Sequence, residues 1–86
     1  MYKVLLTKES QKDYINIKKA ALDHKVKKLL LLIQENPFKP PVKKLYGELK
    51  GFYSLRITIK HRLVFEVIED LKIIKVLKMW THYGDN

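Results

Sequence analysis

Two runs rich in β-branched and aromatic residues, Phe52–Thr58 and Arg62–Ile68, flank Ile59-Lys60-His61. They predict a β-hairpin, and the pattern leaves its register little freedom. Residues directly opposite each other share a face, so a slip of one residue sends every side chain to the wrong side. If Thr58 lies opposite Arg62, then Ile57 faces Leu63, Leu55 faces Phe65 and Tyr53 faces Val67. The next register of the same parity also keeps Leu55, Leu63, Tyr53 and Phe65 together. Registers of the other parity set apolar against polar residues and are disfavoured. One face of the hairpin is therefore core. In both allowed registers Arg56 and Arg62 fall on the opposite face, with Ser54, Thr58 and Glu66.

The remaining elements follow from spacing. Residues 2–6 predict a short first strand. Thr7 suits a helix N-cap, with Glu9 in the first turn. Tyr14, Ile17 and Ala21 then recur at helical spacing, which predicts a helix over 8–20. Asp23 is a second candidate cap. Val26, Leu29, Leu30 and Ile33 form the stripe of a second helix, with Lys25, Lys27 and Lys28 outside it, and Asn36-Pro37 ends it. The helices, joined at Leu22-Asp23, form a hairpin of their own. All three prolines fall within residues 36–44, which predict an extended loop. Glu69-Asp70 predicts a turn and Lys72–Trp80 a last strand. The order is β-α-α-β-β-β. It describes an α+β fold, a small antiparallel sheet with a two-helix hairpin packed on one face. At 86 residues the chain is expected to be one domain, 1–86.

Composition narrows the function. With no cysteine there is no disulfide, no thiolate metal site and no Cys nucleophile. An apolar fraction of 47% makes a core feasible without such staples. Eighteen Lys and Arg against nine Asp and Glu leave a net charge of +9. That balance implies an acidic partner: nucleic acid, an anionic membrane or an acidic protein. The first residues lack the apolar core of a signal peptide, and the longest aliphatic run, Leu29 to Ile33, is too short to span a bilayer. The expectation is a soluble cytoplasmic protein with no membrane partner.

Two arginines close together on a rigid sheet repel each other unless an anion is expected there, and phosphate matches the guanidinium fork. The plainer alternative is a solvated face on which Glu66 pairs with an arginine. Near the C-terminus, His82 beside Tyr83 offers a titratable acid and an aromatic ring. His61 reads as a hairpin residue and His24 as a surface one.

The stretches Leu45-Tyr46-Gly47-Glu48-Leu49-Lys50-Gly51-Phe52-Tyr53-Ser54-Leu55-Arg56-Ile57-Thr58, His61-Arg62-Leu63-Val64-Phe65-Glu66-Val67 and Met79-Trp80-Thr81-His82-Tyr83 resemble the Txe/YoeB branch of RelE/ParE-type toxins. Asn36-Pro37-Phe38 fits as well. The resemblance covers nearly the whole chain. It implies a RelE-like fold and the toxin of a type II toxin–antitoxin system: a metal-independent endoribonuclease, needing no cofactor, that cuts mRNA on the ribosome. It also implies an acidic antitoxin of the YefM/Axe kind. Carried over by motif, Arg62 stabilises the transition state, Arg56 binds substrate phosphate, His82 is the general acid and Tyr83 lies beside it. One position departs. The family's general-base Glu falls on Lys43, within Val42-Lys43-Lys44-Leu45. The resemblance then makes Lys43 a catalytic candidate, acting electrostatically or as a base, and Lys44 an RNA-binding one. Glu48 is the alternative base, five residues on.

Two other functions compete. A ParE-like toxin acting on gyrase shares the fold, but the paired arginines and the His-Tyr pair argue against it. A non-catalytic basic RNA-binding module expects aromatic rings exposed on the sheet. Here Tyr53 and Phe65 face the core, leaving Phe52, Trp80 and Tyr83. Finally, Leu31 and Leu32 lie partly off the core stripe. They either widen the apolar face of the second helix or mark a surface for the antitoxin or for a second copy in a homodimer.

Overall fold

The computed structural model describes residues 1–49 and 51–80, with the side chain of Leu49 left aside. The expected calls at His82 and Tyr83 lie outside the described residues.

Helix α1 (Lys8–Lys19) begins where the sequence places it: Thr7 is extended and its Oγ1 accepts from the Ser10 N–H at 3.1 Å. Glu9 in the first turn and Lys18 and Lys19 in the last complement the helix dipole. The helix ends as Ala21 turns left-handed (φ 59°), which lets the Leu22 N–H reach the Ile17 carbonyl at 2.9 Å. Helix α2 (Asp23–Glu35) follows at once. The cap expected of Asp23 is not made: Asp23 is the first helical residue, and Leu22 occupies the cap with no side-chain hydrogen bond. Asn36 breaks out to an extended conformation, and its Oδ1 accepts from the Phe38 N–H at 3.0 Å.

The strands are β1 (Lys3–Leu6), β2 (Lys43–Lys44), β3 (Phe52–Arg56), β4 (Arg62–Ile68) and β5 (Ile73–Lys78), with short 3₁₀ turns at Gly47–Leu49 and Glu69–Leu71. They form one sheet in the order β1-β5-β4-β3-β2. Three neighbour pairs are antiparallel and β1 runs parallel to β5, so the sheet is mixed. Tight connections fix the directions of β3, β4 and β5. The first strand reaches the sheet through two helices, and no turn dictates its sense. The two-residue β2 was expected as loop. It carries no apolar alternation and is a strand only because β3 offers it a free edge.

The β3–β4 hairpin takes the second of the two allowed registers. Tyr53 faces Phe65, Leu55 faces Leu63 and Arg56 faces Arg62. Strand β3 stops at Arg56, two residues short of the expected end, because Thr58 closes the turn: its Oγ1 accepts from the N–H groups of Lys60 and His61 at 3.1 Å each. The pairing of β4 with β5 slips between Val64 and Phe65. Without the slip, alternation from Ile74 and Val76 would put Lys78 in the core. With it, Met79 takes that place and is fully buried.

The core is a single cluster beneath the helices. Ile17 of α1 and Val26 and Ile33 of α2 pack on Leu55, Leu63, Phe65, Ile74 and Val76 of the sheet. At the opposite end from the hairpin turn, Tyr2 donates its hydroxyl to Glu69 at 2.8 Å and Lys72 bonds the same carboxylate. The Lys72 bond, then the Tyr2 bond, holds the Glu69 carboxyl below the usual carboxylate range, and the bond to Glu69 raises the Lys72 ammonium. Among the described residues no helix is long and apolar enough to cross a membrane.

Candidate functional site

Register places the arginines. Arg56 and Arg62 are the last pair of the β3–β4 ladder and stand directly opposite each other. Like charges so placed are destabilising on their own. Among the described residues the ion pairs are Lys72–Glu69 and Lys78–Glu9, and neither arginine has a carboxylate partner. The plainer alternative, an arginine paired with Glu66, is not what the sheet builds: Glu66 stands opposite Phe52 and Lys75.

The two guanidinium groups differ in freedom. Arg62 is half-buried, and its Nε and Nη2 both donate to Ser54 Oγ, at 3.3 and 3.2 Å. Ser54 is itself buried, so it holds the guanidinium from a fixed point. Arg56 is exposed. Strand β2 adds the third cation. Lys43 pairs with Ser54 in the ladder, on the same face as the arginines. Lys43, Arg56 and Arg62, with Leu29, Pro41 and Leu55, border a groove of about 360 Å³. Among the described residues no carboxylate lines it.

The other nominated residues lie elsewhere. Lys44 stands opposite Tyr53, on the alternate face, and is exposed at the sheet edge. Glu48 is exposed in the first 3₁₀ turn and does not line the groove. Tyr53 stacks on Phe65 with centroids 5.9 Å apart, as a core ring should.

The approach to the C-terminal segment is held at two points. Asp13 Oδ2 on α1 accepts from the backbone N–H groups of Met79 and Trp80 at 3.0 and 3.3 Å. The Trp80 ring lies flat on His61, centroids 3.9 Å apart and 15° from parallel. Trp80 thus sits against the β3–β4 hairpin turn, on the residue that precedes Arg62. Sequence reasoning missed Asp13 and the role of His61, because both act over distances no local pattern records. It placed Ser54 on the arginine face without naming its partner. A hydroxyl sharing a face and a hairpin with an arginine was the available signal.

Comparison with known proteins gives the same picture. The family model described as the YoeB-like toxin of the bacterial type II toxin-antitoxin system matches residues 6–83. No curated protein sequence matches. Among solved structures, a YoeB/ParE toxin from Agrobacterium tumefaciens superposes with a TM-score of 0.87 at 28% identity, over 94% of this chain and 99% of the other. A YoeB dimer from Staphylococcus aureus gives 0.81 at 29% identity, over 95% and 98%. A YoeB-YefM complex from the same organism gives 0.79 at 27% identity, over 96% and 99%. With a family match across nearly the whole length and the same fold beneath it, the chain belongs to the YoeB-like toxins of bacterial type II toxin–antitoxin systems.

Proposed function

We propose that this toxin is a metal-independent endoribonuclease that cuts mRNA on the ribosome, in the cytoplasm. The observation that carries the reading is the groove bordered by Lys43, Arg56 and Arg62, which holds three cations and, among the described residues, no counter-charge. In the reaction the 2′-oxygen attacks the adjacent phosphorus and gives up its proton to a water molecule, and the bond from phosphorus to the 5′-oxygen breaks. The products are a 2′,3′-cyclic phosphate and a 5′-hydroxyl. Arg62, fixed by Ser54, meets the charge that develops on the phosphorane oxygens, where a preorganised donor is worth most. Arg56, free to move, grips the incoming phosphate. His82 donates the proton that the leaving 5′-oxygen needs, and Tyr83 stacks on a base. Lys43 serves as a cation beside the nucleophile. Lys44 contributes only to the general attraction for RNA.

The Staphylococcus aureus relative is described in complex with YefM. We assign this chain an acidic antitoxin of the same kind, which suits its charge of +9.

The test is toeprinting of a translating ribosome with purified toxin. The new ends are expected to carry a 2′,3′-cyclic phosphate and a 5′-hydroxyl, as attack by the 2′-oxygen leaves, and cleavage is expected to fall about 10²–10³-fold in Arg62→Ala. A 5′-phosphate at the cut, or full activity of Arg62→Ala, overturns the reading. A gyrase supercoiling assay run beside it reports the ParE-like alternative. RNA binding that survives His82→Ala without any cutting by the parent protein reports a mere binding module.

A further inference from the structure

Leu31 and Leu32 of α2 are 59% and 56% exposed, side by side on a helix whose other apolar residues face the core. They are not isolated. With Leu29 they floor a recess of about 620 Å³ whose polar rim is His24, Lys25 and Lys28. On the other flank Leu31 borders a second recess with Lys27. Among the described residues no carboxylate lines either one. Asp23 and Glu35 lie at the two ends of the helix.

We infer that this face of α2 is the docking surface for an acidic amphipathic helix of the partner protein. Adjacent leucines supply the apolar anchor and the lysine rim selects glutamate-flanked partners. Charge complementarity decides between occupants. A second copy of this chain brings a net charge of +9 and the same lysines against these lysines, whereas an acidic helix neutralises them. Continuity points the same way. Leu29 borders both this recess and the groove of Lys43, Arg56 and Arg62, so a bound acidic chain continues from one into the other. The inference rests on the antitoxin reading for the partner's identity, but the surface is tested separately from the chemistry.

The probe is a synthetic helix with leucines at i, i+3, i+4 and i+7 and glutamates flanking them. Its twin carries lysines in place of the glutamates. Binding to the purified toxin is followed by fluorescence anisotropy. The glutamate peptide is expected to bind, the lysine peptide not. Leu31→Ser/Leu32→Ser and, independently, Lys25→Glu/Lys28→Glu are each expected to weaken binding by about tenfold or more. These residues are exposed, and circular dichroism checks that each variant folds. Equal binding to parent and variants, equal binding of the two peptides, or no binding at all overturns the assignment. So does sedimentation showing a dimer that Leu31→Ser/Leu32→Ser dissolves, which gives the face to a second copy. Ribosomal cleavage by Leu31→Ser/Leu32→Ser is expected to equal that of the parent. If Arg62→Ala retains full cleavage while the peptide results hold, the chemistry is wrong and the docking surface stands.

Discussion

Ser54 sets how freely Arg62 moves. Its hydroxyl accepts both Nε and Nη2 of the guanidinium from a buried site in β3. Replacing it with alanine removes the acceptor and leaves the strand intact. Ser54→Ala is expected to lower kcat by roughly tenfold with little change in KM, because only the transition state depends on the precise aim of Arg62. A single-turnover cleavage assay separates the two constants. Lys43 poses a different question. If it acts through charge, arginine replaces it; if it takes the 2′-hydroxyl proton, arginine fails, since a guanidinium is always protonated. With two arginines bordering the same groove, charge is the expected role. Lys43→Arg should then keep cleavage within a few-fold of the parent across a pH series, and Lys43→Glu should not.

At the scale of elements, the junction of α1 and α2 carries a local misfit. Ala21 adopts a left-handed backbone (φ 59°) that ordinarily goes to glycine. Ala21→Gly relieves the Cβ clash and gives back some of that gain as added freedom of the unfolded chain. A net rise in stability of about 0.5–1 kcal/mol is expected, read as a shift of the urea midpoint at constant slope. The same scale shows what the sequence could and could not reveal. The β3–β4 hairpin was legible because burying Leu55, Leu63 and Phe65 admits only one parity. The choice between the two even registers was not, since both satisfy that burial and the Thr58 turn settles it. Strand β2 was illegible because Lys43-Lys44 has no pattern of its own. The slip beside Val64 was illegible because alternation alone predicts an unbroken ladder.

For the whole molecule, the Asp13 carboxylate, beside the exposed Glu9–Lys78 ion pair, joins the first helix to the end of the last strand. Asp13 holds the N–H groups of Met79 and Trp80, and Trp80 in turn lies on His61 beside Arg62. Alanine at position 13 leaves two inward donors without their acceptor. Asp13→Ala is expected to cost about 1–3 kcal/mol of unfolding free energy, measured by urea titration, and to lower cleavage by loosening Trp80 against His61. The cations of the candidate site were legible, because strand parity puts Arg56 and Arg62 on one face; the expected His-Tyr pair lies outside the described residues. The supports of the site were not legible, because Asp13 and Trp80 meet only after the whole chain has folded.

The brevity of β2 has one more effect. A sheet edge presents unpaired N–H and C=O groups that recruit other chains into fibrils. Here one edge of the sheet is two residues long, and both are exposed lysines. Lys43, which the proposed function sets beside the RNA, thus also keeps neighbouring molecules from adding strands. Apolar β-branched residues at positions 43 and 44 are expected to turn the same edge into a seed for aggregation, read as a rise in light scattering.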